Sequence, residues 1–325
     1  MKTYAKLTLL AMMAAFLLGI HPALGQAIPT QPASRPTENR APHGHFPIRW
    51  VNPTDKLPPG AQHKTFHSAS MNCDVGYCIY TPPGYANSDT RYPVLYWLHG
   101  RGGNELLGLH AVVPLLHQAI ISKQIPPMLM VTVNGGSNTM YCDSVDRTIL
   151  PDTMIVKELI PYIDSHYRTI PKREARVIEG YSMGGFGALK FAFKYPELFC
   201  SVVGGSPVLF QWERMSEPQH TEMAKRMFAN DAKAFESEHP TTWLKKNADK
   251  IRGKVCIRIV VGDQERGKPI NDAFCKLLDE LKIPYQYEVL EGIGHSGGKV
   301  YEKAGLKGFQ FQAAALAGAC GMKQR

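Results

Sequence analysis

Short uninterrupted apolar runs alternate along this chain with longer stretches in which apolar residues return every three or four positions. The runs at 93–98, 128–133, 176–179, 200–203, 255–261 and 285–290 read as buried strands, and the periodic stretches at 105–121, 153–167, 183–195 and 271–281 read as amphipathic helices. Apolar strands separated by helices predict a mostly parallel sheet covered on both faces, with any site at the carboxyl ends of the strands. Ahead of them, residues 64–70 and 75–80 read as an antiparallel pair that stops at Thr81-Pro-Pro-Gly-Tyr85, since proline cannot donate to a ladder. Residues 208–250 are polar and helix-like, with Phe210, Trp212, Phe228, Phe235 and Trp243 interspersed, and are expected to form a modest insertion over the site.

The amino terminus departs from this rhythm. Lys2 and Lys6 precede an apolar run over 7–20, and the small residues Ala23, Gly25 and Ala27 follow, which is the layout of a cleavable export signal. The run is short for a permanent membrane span. Residues 28–60 are rich in Pro, Ser, Thr and Gly and suit an extended, weakly ordered leader. The expected organisation is a signal peptide at 1–25, a Pro-rich leader at 26–60 and one catalytic domain at 61–325. Such a protein would be secreted or periplasmic, with no stable membrane insertion after signal cleavage.

Composition narrows the chemistry. The 325 residues are 44% hydrophobic, enough for one large core. The formal net charge of +9 comes from scattered Lys and Arg, and no helix-turn-helix, zinc-finger or aromatic-interleaved basic motif appears. Nucleic acid is therefore not an expected partner. Cys73, Cys78, Cys142, Cys200, Cys256, Cys275 and Cys320 include no C-x-x-C pair, so a zinc ribbon or thioredoxin-like site has no support. Cys200 and Cys256 lie in or beside strand-like runs and read as small hydrophobes. Cys73 and Cys78 flank an expected hairpin turn, where an oxidising compartment would permit a bridge. Sequence alone leaves the connectivity open.

Gly180-Tyr-Ser-Met-Gly184 sits between a strand and a helix that begins at once. The glycines allow a strand-to-helix turn that a Cβ would obstruct, which lifts the hydroxyl of Ser182 above the sheet as a candidate nucleophile. A serine hydroxyl needs a base, and chain order in this arrangement is serine, acid, histidine. His295 lies in a glycine-flanked loop just after the last strand, where that order places the base. His99 precedes the serine and reads as structural support for the turn at Gly100. The acid comes after the strand at 255–261, where both Asp263 and Glu265 stand. The position three residues beyond Gly262 favours Glu265 and leaves Asp263 as the alternative. Backbone N–H groups of Arg101 and Met183 are the expected oxyanion donors. His99-Gly-Arg-Gly-Gly103 lacks the lysine, serine and glycine spacing of a phosphate cradle.

Taken together, Tyr80-Thr-Pro-Pro-Gly-Tyr85, Tyr92-Pro-Val-Leu-Tyr-Trp-Leu-His-Gly100, Glu158-Leu-Ile-Pro-Tyr-Ile-Asp164, Gly180-Tyr-Ser-Met-Gly-Gly185 and Gly292-Ile-Gly-His295 resemble the esterase D family of α/β hydrolases. That group includes feruloyl esterases, S-formylglutathione hydrolase and the mycolyltransferase antigens. The resemblance spans roughly residues 60 to 320. It implies an α/β-hydrolase fold with Ser182 as nucleophile, His295 as base and Arg101 and Met183 as oxyanion donors. The family's acid is usually aspartate and falls here on Glu265. Asn134-Gly-Gly136 and Tyr141-Cys-Asp143 resemble a segment that lines the acyl pocket in relatives.

The function so implied is a secreted serine carboxylic-ester hydrolase working through an acyl-enzyme, with a feruloyl or acetyl ester on polysaccharide, or a small-molecule ester, as substrate. No metal or organic cofactor is implied. A serine acyltransferase with a sugar or other alcohol acceptor would use the same residues, and a non-catalytic carbohydrate-binding protein of this fold would normally have lost one of them.

Overall fold

The computed structural model describes residues 48–54 and 56–320. The expected export signal lies outside the described residues. An eight-stranded sheet runs in the order β1-β2-β4-β3-β5-β6-β7-β8, with β1 (Ala61–Ser68), β2 (Cys73–Tyr80), β3 (Val94–Leu98), β4 (Leu129–Val133), β5 (Arg176–Tyr181), β6 (Ser201–Gly205), β7 (Cys256–Gly262) and β8 (Gln286–Leu290). β1 pairs antiparallel with β2 and β2 with β4, whereas β4, β3, β5, β6, β7 and β8 are parallel to one another. This is the α/β-hydrolase arrangement with an N-terminal antiparallel pair.

The two-residue period of the strands divides the core. On β3, Leu95 and Trp97 pack with α1 (Leu109–Ile121) and with Tyr301 and Phe309 of the C-terminal helix. Val94, Tyr96 and Leu98 face the opposite cluster, which holds Phe186, Leu189 and Phe193. Between β4 and β5, α2 (Pro151–Thr153) runs through a π-turn segment (Met154–Leu159) into α3 (Ile160–His166). After β5 comes α4 (Met183–Lys194), and after β6 the insertion forms α5 (Thr221–Phe228), α6 (Ala232–Glu238), α7 (Pro240–Lys246) and α8 (Ala248–Ile251). α9 (Lys268–Glu280) joins β7 to β8, and α10 (Gly297–Leu316) follows β8.

The path from β3 through α1 leads outward to β4, and the chain then returns to β5 on the other side of β3. The sheet thus changes winding direction between β3 and β5, and a crevice opens at their carboxyl ends. Among the described residues no helix is long and apolar enough to cross a membrane.

Three expectations are corrected. Cys256 is not a lone buried thiol but forms a disulfide with Cys320, with Cα atoms 5.4 Å apart, anchoring the end of the chain to β7. Cys73 and Cys78 are unbridged: both lie on β2 an odd number of residues apart, so their side chains project from opposite faces. The leader is not weakly ordered where it is described. Asn52 donates to buried Glu105 from its backbone N–H (2.8 Å) and from Nδ2 (2.9 Å), and the Trp50 carbonyl accepts from Gly76 N–H. α10 was absent from the sequence pattern, because Gly297, Gly298, Gly305 and Gly308 dilute its helical signal.

Candidate active site

β5 ends at Tyr181, and Ser182 adopts φ +58° and ψ −116° before α4 begins at Met183. Such a conformation is costly for a residue with a Cβ, and the surroundings must hold it in place. They do so by close approach on both sides. A Cβ on Gly180 would overlap the Gly184 carbonyl, and one on Gly184 would overlap the Leu98 carbonyl of β3. The Ser182 N–H donates to the Gly205 carbonyl of β6 at 2.8 Å, which fixes the turn against the neighbouring strand.

His295 Nε2 lies 2.8 Å from Ser182 Oγ, and His295 Nδ1 lies 2.8 Å from Glu265 Oε2. An ionised carboxylate only accepts, so Nδ1 carries the ring proton and Nε2 is left to accept from the serine hydroxyl. The imidazole packs on the Tyr181 ring with centroids 5.1 Å apart. Two backbone hydrogen bonds tie the acid loop to the β8 end and the histidine loop: Asp263 N–H to Leu290 O at 3.0 Å, and Gln264 N–H to Ile293 O at 3.1 Å.

Glu265 is buried, and both of its oxygens are engaged. Oε2 takes the imidazole, while Oε1 accepts from Ser206 Oγ and from Gly262 N–H at 2.9 Å. Burial alone would raise its carboxyl, but the hydrogen bonds from His295, Ser206 and Gly262 outweigh that and hold it below its ordinary value. Asp263 is exposed and makes no hydrogen bond to His295. Of the two acids left open by the sequence, the structure brings Glu265 to the imidazole. Ser206, at the end of β6, escaped sequence reasoning because nothing in Gly204-Gly-Ser-Pro207 announces that its hydroxyl will meet a carboxylate 59 residues later.

The turn after β3 abuts the serine: a Cβ on Gly100 would stand 3.4 Å from that of Ser182. Arg101 and Met183 line the same cavity as Ser182. The Met183 N–H, first in α4, has no acceptor within its own helix and is available to a developing oxyanion. His99 behaves as structural support. Its Nδ1 bonds the Gly100 carbonyl at 2.8 Å, its Nε2 accepts from Gly135 N–H at 3.2 Å, and burial pushes its pKa down to about 4.

Neither Asn134-Gly-Gly136 nor Tyr141-Cys-Asp143 lines the cavity, and among the described residues between them only Met140 reaches it. Tyr141 lies behind it, donating from its hydroxyl to the His99 carbonyl at 3.0 Å, and Asn134 Nδ2 is spent on Arg49, Trp50 and Glu105. The insertion does cover the site. Leu209, Phe210, Arg214, His220 and Met223 form one wall of a cavity of about 380 Å³ whose floor is Ser182.

A family model described as Esterase matches residues 68–283. An esterase of Mycobacterium tuberculosis is 30% identical over 145 residues, 42% of this chain and 30% of its own length. An endo-1,4-beta-xylanase/feruloyl esterase of Xylanibacter ruminicola is 30% identical over 148 residues, 42% of this chain and 20% of its own. The chain thus spans less than a third of the length of these curated relatives. A solved ferulic acid esterase superposes with a TM-score of 0.69 at 22% identity, covering 79% of this chain and 98% of that one. An S-formylglutathione hydrolase of Staphylococcus aureus gives 0.66 at 19%, covering 78% and 98%. At these identities the likeness to solved structures is one of fold.

Proposed function

The chain belongs to this esterase family, and from that premise we propose that it is a secreted serine carboxylic-ester hydrolase that works through an acyl-enzyme on Ser182. The observation that carries this is the unbroken line of two 2.8 Å contacts from Ser182 Oγ through His295 to Glu265. In the proposed reaction Ser182 Oγ attacks the ester carbonyl as its proton passes to His295 Nε2. The resulting oxyanion is met by the N–H groups of Arg101 and Met183. His295 then returns the proton to the departing alcohol, and water repeats the sequence to release the acid. Glu265 keeps the imidazole in the productive tautomer and stabilises it while it carries the extra proton.

An acyl group with a large apolar surface is the proposed substrate, a hydroxycinnamoyl rather than an acetyl ester of polysaccharide. Support comes from the apolar wall of Leu209, Phe210 and Met223 and from the name of the Xylanibacter relative. Export rests on the signal-like pattern of residues 1–25. Rapid quenching during turnover of a feruloyl ester, followed by peptide mass analysis, tests the chemistry. The expected result is a feruloyl adduct on the peptide containing Ser182. An adduct on another residue, or none during a kinetic burst, would contradict it.

A further inference from the structure

The cavity above Ser182 is lined by two kinds of surface. Its wall is apolar and buried at Leu209, Phe210 and Met223, whereas the arginines Arg101, Arg214 and Arg266 also line it. Among the described residues Glu265 is the sole acid lining the cavity, and both of its oxygens are already engaged. Arg214 is forked onto Glu217 at 3.0 and 3.3 Å and lies 5.7 Å from the Phe210 ring centre, so its charge is largely answered. Arg101 reaches the Gln219 carbonyl at 2.9 Å and lies 3.4 Å from His220 Nδ1. Arg266 is exposed, immediately follows Glu265, and forms no ion pair among the described residues. Arg266 accordingly brings a positive charge to the cavity lining. Burial and then the nearby Arg101 lower the pKa of His220, on the same wall, to about 4 despite the presence of Glu217.

The placement of these charges says which part of an ester they meet. The acyl group of an acyl-enzyme stays in the cavity and suits the apolar wall, while the alcohol must leave toward water. An exposed arginine belongs to the exit. We infer that Arg266 is a specificity-determining residue for esters whose alcohol portion bears a carboxylate. The planar guanidinium fork matches a carboxylate through two parallel hydrogen bonds, and at the cavity mouth neither group has to be fully desolvated. This rests on the assignment of Ser182 chemistry made above.

The test compares two esters with the same acyl group, para-butyryloxyphenylacetate and its carboxamide counterpart para-butyryloxyphenylacetamide, which differ in charge and scarcely in shape. The purified enzyme should have a kcat/KM about fivefold higher for the carboxylate, mostly through KM, and the ratio should shrink as ionic strength rises. In Arg266→Gln the ratio should fall toward one, in Arg266→Glu it should invert, and Arg266→Lys should keep part of it. A purely structural role would lower both substrates together. A wild-type ratio at or below one, a ratio unmoved by Arg266→Gln, or a charge preference found only when the carboxylate is on the acyl side (hemiglutarate against pentanoate esters of para-nitrophenol) overturns the inference. None of these outcomes touches the parent reading, whose failure would appear as hydrolysis surviving the loss of Ser182.

Discussion

His295 Nδ1 lies 2.8 Å from Glu265 Oε2, whereas Asp263, two residues earlier on the same loop, stands exposed. The longer glutamate reaches the imidazole from a position three residues past the end of β7 because Gly262 N–H and Ser206 hold its other oxygen. In the proposed mechanism Glu265→Gln should lower turnover by up to about ten-thousandfold, since a carboxamide can present its N–H to Nδ1 and favour the wrong tautomer. Asp263→Asn should cost less than about tenfold. Steady-state kinetics on an aryl ester, at matched circular dichroism, separates the two, and equal mild effects would move the acid to another residue.

Ser206 acts on the same carboxylate from behind. Its hydroxyl is one of three donors that hold Glu265 below its ordinary value of 4.5. A carboxyl whose folded pKa is depressed contributes stability that is present above the unfolded value and is lost as pH falls through the folded one. Ser206→Ala should therefore shift acid unfolding to higher pH. It should also lower turnover by roughly tenfold, as expected for loss of one hydrogen bond to a charged group. Circular dichroism followed from pH 7 downward checks the first effect, and an unchanged acid midpoint would show that Ser206 does not support the ionised carboxylate.

Glu179 reverses the sign. It lies on β5 three residues before Ser182, fully enclosed, and accepts from Tyr301 Oη of α10 at 2.7 Å, while Trp97 Nε1 donates to that hydroxyl at 2.6 Å. Burial pushes its pKa from 4.5 up to about 7, against the opposing effects of Tyr301, Gln312 and Arg258. The folded state then binds more protons than the unfolded chain between these values, so stability falls as pH rises from 4.5 to about 7 and the loss is complete above that. The shift corresponds to about 3 kcal/mol. Glu179→Gln should flatten this part of the profile and unfold at higher denaturant than wild type at pH 8. Identical profiles for the two proteins would mean that Glu179 is ionised at no cost.

The order of the strands and of the helices between them was legible because the central strands are short, largely apolar runs and the helices α1, α4 and α9 are periodic. Ser182 and His295 were placed by the glycines around them and by chain order, which are local signals. What escaped was non-local. The pairing of Cys256 with Cys320 needs α10, which carries the chain end back to β7 and which its glycines concealed. Ser206 and the docking of Asn52 on Glu105 are side-chain meetings between distant segments with no periodicity to betray them. The choice between Glu265 and Asp263 was open for a related reason: two residues in one loop differ only in where the loop is tied, and those ties run to Leu290 and Ile293.

Ser182 Oγ is the attacking atom of the proposed mechanism, and Ser182→Ala measures that most directly. The hydroxyl is nearly buried and its removal takes away a single hydrogen bond, so the variant should fold and melt like wild type. Its turnover of a feruloyl or butyryl aryl ester should fall by about a millionfold, to what the oxyanion donors and binding alone provide. A folded Ser182→Ala enzyme that kept a tenth of wild-type turnover would contradict the mechanism.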